Sequence, residues 1–239
     1  DIYLPKAPGP FPTVLMRTPY SNNMPQAIER GHTLANSGYA CVIQDVRGRW
    51  DSDGDFYAFY NEGPDGYDTQ EWIGRQEWST GKVGMAGGSY LGLVQWTSAP
   101  YGSEFLKAMA PRVIFWDFHE GLLHPGGALQ LNVAITWGMR SNARTAQSIE
   151  YQHWNEVFHS LPLSQMDEAA GRNVNFWKDW IEHWTYDDYW DKINVEKKRD
   201  DIAAPALNMG GWYDVFAQHS FRLFNGLRLH GKTPESRRS

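Results

Sequence analysis

Cysteine is nearly absent from this chain of 239 residues, which contains only Cys41. A single cysteine excludes an intrachain disulfide and any metal site built from several thiolates. Cys41 lies in the apolar stretch YACVIQD, so we expect it to be a small buried filler. Long apolar runs are absent too. None reaches the roughly 18 residues that a membrane-spanning helix requires, so the sequence predicts no membrane partner.

Positive charge is also in short supply. Lys and Arg number 22 against 28 Asp and Glu, which gives a net charge of -6 and excludes a basic nucleic-acid surface. No internal repeat, low-complexity tract or charged-then-apolar leader is present in the printed sequence. Aromatic residues, by contrast, make up 15% and include 12 tryptophans. Some of them fill a core, and the surplus favours an apolar pocket for a small ligand.

The first 111 residues alternate short β-type runs with helical patterns. Runs rich in β-formers predict strands at 13–20, 39–46, 82–87 and 105–111. Helical spacing predicts helices at 25–38, 64–76 and 89–99. Such alternation predicts an α/β fold with a mostly parallel sheet covered on both faces.

The pattern changes after residue 111. Residues 112–200 contain no convincing strand and hold most of the tryptophans, and we interpret them as a helical cap insertion. Residues 204–214 then return to the strand type, and a helix is predicted at 215–230. The expected organisation is therefore a core at 1–111, a cap at 112–200 and the second part of the core at 201–239. Trp177, Trp180 and Trp184 recur at helical spacing, which favours core packing over a substrate wall.

The stretch KVGMAGGSYLGLVQWTSA (82–99) places Ser89 between glycines, after a predicted strand and before a predicted helix. This context is typical of a nucleophile elbow, a strained turn that exposes a serine hydroxyl and that only small neighbours permit. Gly87 precedes Ser89 by two positions and Gly92 follows it by three, so the usual G-x-S-x-G is lengthened by one residue. The backbone N–H of Tyr90 would then be one donor to an oxyanion.

Asp214 is the candidate for the acid of a catalytic triad. In folds that carry such a nucleophile elbow, the triad members follow along the chain in the order Ser, Asp or Glu, then His. Asp214 comes after a predicted strand and before a predicted helix, which places it at the carboxyl edge of the sheet. Open α/β sheets bind their ligands at that edge.

Five motifs together resemble the cocaine-esterase-like (CocE/NonD) serine hydrolases, a family related to Xaa-Pro dipeptidyl-peptidases and α-amino-acid ester hydrolases. They are QDVRGRWDSDGDF (44–56), GYDTQEWI (66–73), GKVGMAGGSYLG (81–92), PGGAL (125–129) and GGWYDVF (210–216). The resemblance implies an α/β-hydrolase fold with a helical cap, a serine hydrolase acting on an ester or amide through an acyl-enzyme, and no metal or organic cofactor.

The same resemblance assigns roles to individual residues. It matches Ser89 to the nucleophile and Asp214 to the triad acid, while Tyr20 in RTPY matches the second oxyanion donor, through its hydroxyl. Trp137 and Phe216 match positions that line the family's substrate pocket. The expected partner is a small ester or amide, or a short peptide.

The catalytic histidine of the family has no counterpart in the printed sequence. After Asp214 the chain offers only His219 and His230, both on the predicted helix and outside the family's histidine context. The family's C-terminal β-sandwich also has no counterpart. We therefore expect the chain to be truncated and its general base to lie beyond residue 239.

Two further stretches resemble metal-binding motifs, and each departs from the motif at a required position. HEGLLH (119–124) has its histidines five apart, whereas a zincin helix needs them four apart. The loop DSDGDFYAFYNE (51–62) has acidic residues at calcium-loop positions, but Phe56 replaces the required glycine. Asp45 and Arg47 are expected to form a salt bridge.

Two other functions stay open alongside ester cleavage. Release of Xaa-Pro dipeptides requires carboxylates that bind the peptide's free amine, and Asp117 and Glu120 are the candidates. A non-catalytic binding domain on the same fold is the second alternative.

Overall fold

Five β-strands form one sheet in the computed structural model, which describes residues 1–239. The strands are β1 (Ile2–Tyr3), β2 (Phe11–Thr18), β3 (Ala40–Asp45), β4 (Ser79–Gly88) and β5 (Leu106–Arg112). Their order is β1-β3-β2-β4-β5, with β1 antiparallel and all other pairs parallel. Central β2 is paired on both sides, with Leu15 opposite Val42 of β3 and Met85 of β4.

Helices cover both faces of this sheet. Parallel neighbours need crossover connections, and α1 (Pro25–Asn36), α2 (Glu62–Gly74) and α3 (Tyr90–Ser98) provide them. Alternation along β2 sends Leu15 into the large core with α2 and α3, while Met16 packs with Cys41 and Ile43 against α1. The predicted α/β class and the burial of Cys41 are thus confirmed.

After β5, residues 113–201 contain no strand, only helices joined by turns and irregular connections, and we call this stretch the helical segment. A π-helical turn spans His119–Leu123, and the α-helices are α4 (Leu131–Ser141), α5 (Trp154–Phe158), α6 (Met166–Ala169), α7 (Trp177–Glu182) and α8 (Asp188–Asp191). Short 3₁₀ turns lie at Ala99–Tyr101, Pro125–Gly127, Leu163–Gln165, Glu196–Asp201 and Ser236–Arg238. Trp177 and Trp180 are buried in the core, as predicted, but the prediction is wrong for Trp184, which is exposed because α7 ends at Glu182 and the helical spacing does not continue to it.

The predicted strand at 204–214 is largely absent. Only two isolated parallel bridges form there, Met109 with Ala206 and Arg112 with Met209. These contacts run beside β5 and stop before the GGWYD turn, which leads into α9 (Ala217–His230).

None of the helices combines the length and apolar character needed to cross a bilayer.

Candidate active site

Ser89 occupies the turn between β4 and α3. Its φ of 55° and ψ of -129° lie in a strained region for a residue with a side chain, and its hydroxyl side is exposed. The backbone fixes this geometry, because Ser89 N–H donates to Arg112 O at 3.0 Å and Ser89 O accepts from Gly92 N–H at 2.7 Å. A Cβ on Gly87 would lie 2.4 Å from Leu91 Cβ, which explains the glycine. The structure therefore has the predicted elbow geometry at Ser89.

Tyr20 reaches this turn from the end of β2. Its hydroxyl lies 3.4 Å from Ser89 Oγ, at the long end of hydrogen-bond distances. The segment before it is held firmly, since Pro19 O accepts from Arg49 Nε and from Trp50 Nε1, each at 2.9 Å. Two residues that are 69 positions apart in sequence thus meet at the carboxyl edge of the sheet.

Tyr90 is the first residue of α3 and is buried. A first-turn N–H has no acceptor within its own helix, so the Tyr90 amide is available to a ligand at Ser89. Its hydroxyl donates to Glu62 Oε1 at 2.7 Å and accepts from Phe59 N–H at 3.0 Å. Burial, and then the Glu62 charge, raises the pKa of Tyr90, so the phenol stays protonated.

Asp214 lies in the turn before α9. Its Oδ1 accepts from Phe216 N–H at 2.8 Å. No hydrogen bond joins it to Ser89, and none of the eight histidines bonds to either residue. His219 is buried and its pKa is lowered by burial and by Arg222, while His230 Nδ1 is 3.8 Å from Asp200.

Trp137 and Phe216 both pack against other aromatic rings. Trp137 stacks on Phe59 with a centroid separation of 5.1 Å and on Tyr90 at 6.1 Å. Phe216 meets Phe115 edge to face at 5.1 Å. Neither lines the cavity described next, and their role in substrate binding stays a prediction.

A cavity of about 560 Å³ opens beside Ser89 and Tyr20. Its wall is largely apolar, with Met16, Met24, Ala27, Ile43, Leu91 and Val113. Arg30 and Arg112 are the charged residues of the lining, which contains no Asp or Glu. The cavity therefore offers an apolar surface next to the exposed serine hydroxyl.

The carboxylates proposed for amine binding are engaged elsewhere. Glu120 Oε2 accepts from Arg222 at 2.5 Å, and Arg222 also donates to Glu196 at 2.5 Å. Asp117 is buried, and its Oδ1 accepts from Glu120 N–H at 3.2 Å. Neither residue lines the cavity at Ser89.

The expected salt bridge between Asp45 and Arg47 is wrong. Arg47 donates to Asp65 instead, with Nε 2.9 Å from Oδ2. Asp45 Oδ1 accepts from Asn22 N–H at 2.8 Å and so fixes the backbone just after Tyr20. β3 ends at Asp45 and Arg47 lies in the turn that follows, so the strand geometry that would place residues two apart on one face does not extend to Arg47.

Metal ligation has no geometric support among the described residues. No group of three or more His, Cys, Asp and Glu side chains is placed to hold an ion. The rings of His119 and His124 stack on each other with centroids 4.6 Å apart.

Sequence reasoning missed three buried charges around Tyr20 and Tyr90. These are Arg17, Arg49 and Glu62, which are at most 3% exposed. Arg17 had a signal, because an arginine inside the β2 run FPTVLMRT implies a buried partner. Glu62 was weighed only as a calcium ligand.

The chain is similar to known hydrolases along nearly its whole length. The model of the family described as "X-Pro dipeptidyl-peptidase (S15 family)" matches residues 1–235. The cocaine esterase of Rhodococcus sp. (strain MB1 Bresler) is 34% identical over 245 residues, which is 94% of this chain and 43% of that protein. The chain thus spans less than half the length of that relative.

Solved structures agree on the fold. An aminopeptidase from a marine sediment Thaumarchaeota archaeon superposes with a TM-score of 0.80 at 23% identity, over 96% of this chain and 43% of that one. A CocE/NonD family hydrolase from Staphylococcus aureus superposes with a TM-score of 0.69 at 22% identity, over 98% of this chain and 41% of that one. The elbow, the parallel sheet and these matches confirm the resemblance found in the motifs, and the chain belongs to the X-Pro dipeptidyl-peptidase (S15) family.

Proposed function

We propose that this chain carries the nucleophile and the oxyanion hole of a serine hydrolase that cleaves carboxylic esters. The observation that carries the proposal is the approach of the Tyr20 hydroxyl to within 3.4 Å of Ser89 Oγ on a strained turn. A serine in that conformation presents its hydroxyl at the carboxyl edge of the sheet. The S15 family match and the similarity to a cocaine esterase support the same chemistry.

The reaction divides among the residues as follows. Ser89 Oγ attacks the ester carbonyl carbon and gives up its proton to a histidine base, which Asp214 orients. The Tyr90 N–H and the Tyr20 O–H donate to the developing oxyanion. The protonated base returns the proton to the alcohol as the C–O bond breaks, and water then releases the acid from the acyl-serine. We assign the base to a histidine other than the eight in residues 1–239, since none of these is hydrogen-bonded to Ser89 or Asp214.

We also propose that residues 112–200 act as a cap between the core parts at 1–111 and 201–239. Contacts between this segment and the site support the assignment. Arg49, which holds Pro19, also donates to Ser141 O at 2.9 Å, and Trp137 stacks on Tyr90. Rearrangement of the cap would therefore be transmitted to both proposed oxyanion donors.

Dipeptide release is the second candidate, because the family model and a relative carry that description. An Xaa-Pro substrate presents a protonated amine, which requires a carboxylate close to the serine. The cavity at Ser89 has two arginines and no carboxylate in its lining, and Glu120 is paired with Arg222. Ester cleavage is therefore the better supported of the two.

The test is hydrolysis of p-nitrophenyl acetate in the presence of imidazole, which can replace a missing histidine base. A general base contributes about 100-fold or more, so we expect hydrolysis well above that by imidazole alone. Ser89→Ala should abolish the excess. Ser21→Ala, which alters another serine of the same cavity, should keep it. Equal rates for the wild type and Ser89→Ala would refute the proposal, and faster release from an Xaa-Pro anilide would favour the peptidase.

A further inference from the structure

Glu62 connects the two halves of the proposed oxyanion hole. It begins α2 and is only 3% exposed, so its carboxylate is held away from solvent. Its Oε1 accepts from the Tyr90 hydroxyl at 2.7 Å, and its Oε2 lies 2.9 Å from Arg17 Nη1. A buried carboxylate with two such partners has little freedom to move.

The contact between Glu62 and the Tyr90 hydroxyl fixes the residue that follows the nucleophile. Tyr90 is 2% exposed, and its hydroxyl also accepts from Phe59 N–H at 3.0 Å. Its ring stacks on Phe59 with centroids 4.7 Å apart. The side chain of Tyr90 is therefore anchored at its far end, and this anchor sets where its backbone N–H points.

The ion pair between Glu62 and Arg17 fixes the strand that leads to Tyr20. Arg17 lies in β2, three positions before Tyr20, and is 1% exposed. Its Nη1 also donates to Glu62 O at 3.0 Å, and its Nε donates to Gln44 Oε1 at 2.8 Å. Asp65 is the other carboxylate near Arg17, at 3.9 Å.

We propose that Glu62 is a positioning residue of the oxyanion hole, because one buried carboxylate holds both Tyr90 and the strand that carries Tyr20. This inference rests on the proposed function. Both proposed donors must lie at hydrogen-bond distance from the same oxygen atom in the transition state. A displacement of about 1 Å can cost on the order of 100-fold in rate, so the shared support matters for catalysis.

The test compares Tyr90→Phe, Glu62→Gln and the double variant in the imidazole-supported ester assay. Tyr90→Phe removes the hydroxyl link and leaves the Glu62–Arg17 ion pair in place, so it remains informative if Glu62→Gln fails to fold. In each single variant we expect kcat to fall about 10-fold relative to the wild type. We expect KM to stay within about 2-fold of the wild-type value, since the oxyanion hole acts mainly in the transition state. The double variant should lose no more than the larger single loss, because all three variants alter the same Tyr90–Glu62 contact.

Tyr57→Phe is the matched control. The Tyr57 hydroxyl also donates to a carboxylate, Asp179 at 2.5 Å, and it contacts the Tyr189 hydroxyl at 2.8 Å, with no hydrogen bond to Ser89 or Tyr90. A purely structural role for Glu62 would lower the melting temperature in Tyr90→Phe, as in Tyr57→Phe, with kcat unchanged in both. That result would overturn the proposal.

A second arm is independent of activity. A crystal structure of Tyr90→Phe should show the distance from Tyr20 Oη to Ser89 Oγ lengthened from 3.4 Å, or the Ser89 turn displaced. An unchanged turn would contradict the positioning role. Absence of Ser89-dependent hydrolysis in the wild type would instead refute the proposed function and leave this crystallographic comparison to decide the role of Glu62.

Discussion

Individual side chains around Ser89 are set by contacts between distant parts of the chain. Tyr20 is held from behind by Arg49 and Trp50, which both donate to Pro19 O. The Tyr20 ring also lies edge-on to Tyr90, with centroids 6.5 Å apart. Its phenol therefore occupies a fixed position before a substrate arrives, which is the condition for preorganised stabilisation of an oxyanion.

Tyr20→Phe is expected to lower kcat about 100-fold in the imidazole-supported assay, because removing one oxyanion donor typically costs that much. KM should change little, since the ring and its packing remain. Steady-state kinetics on p-nitrophenyl acetate would measure both values. The control is Tyr39→Phe at an exposed position, which should leave both unchanged. A wild-type kcat in Tyr20→Phe would remove Tyr20 from the oxyanion hole.

At the scale of elements, the π-helical turn His119–Leu123 places two imidazoles in contact. His124 follows the turn, is 4% exposed, and has an Nδ1 without a hydrogen-bond partner. Burial, and next the charge of His119, lowers the pKa of His124 to about 4. Protonation of His124 would place an unpaired charge against Trp190, whose ring centroid is 6.4 Å away.

Acidification should therefore destabilise the helical segment. The folded pKa of His124 lies below its unfolded value, so the stabilisation is complete above pH 6.5 and is lost as pH falls toward 4. By pH 5 the loss is about 2 kcal/mol, or about 4–8 °C in melting temperature. Calorimetry at pH 7.5 and 5.0 should show a smaller shift for His124→Gln than for the wild type. The control is His153→Gln at an exposed position, whose melting temperature should change with pH as that of the wild type does. A change in His124→Gln equal to that of the wild type would exclude His124 as the cause.

The elements of the core were largely predictable from sequence, and those of the helical segment only in type. β2 to β5 and α1 to α3 lie within a few residues of the predicted bounds, because apolar spacing and glycine turns are local signals. The predicted strand at 204–214 pairs only at Ala206 and Met209, since pairing depends on a neighbour that local pattern does not reveal. α5 to α8 are four to six residues long, and tertiary packing sets their bounds.

The candidate site was predictable in part for the same reason. Ser89 and Asp214 stand out from local signals, namely the glycines around Ser89 and the position of Asp214 between a predicted strand and a predicted helix, whereas Tyr20 came from motif resemblance. The links from Glu62 to Tyr90 and Arg17 span 28 and 45 positions. Only the chain topology brings Glu62 together with Tyr90 and Arg17. Buried charge in an apolar strand was the available signal, and it identifies Arg17 but not its partner.

On the whole molecule, many of the exposed large apolar side chains lie close to Asp214 in sequence. Large apolar side chains between residues 207 and 229 are solvent-exposed, namely Leu207, Trp212, Tyr213, Val215, Phe221 and Leu229. Trp212 and Phe221 meet at 5.5 Å beside a second cavity of about 240 Å³. Exposed apolar side chains that contact one another, as Trp212 and Phe221 do, bind apolar molecules and favour association more than single exposed residues do.

Replacing Trp212 and Val215 with serine should therefore reduce both dye binding and self-association. The two side chains are 82% and 79% exposed, so their loss removes apolar surface at little cost in core packing. Fluorescence of an anilinonaphthalene dye and sedimentation velocity at several protein concentrations would measure the effects. Tyr151→Ser is the matched control, because Tyr151 is 89% exposed but lies outside this surface. A similar decrease in Tyr151→Ser, or no decrease in the double variant, would show that the surface around Asp214 does not control association.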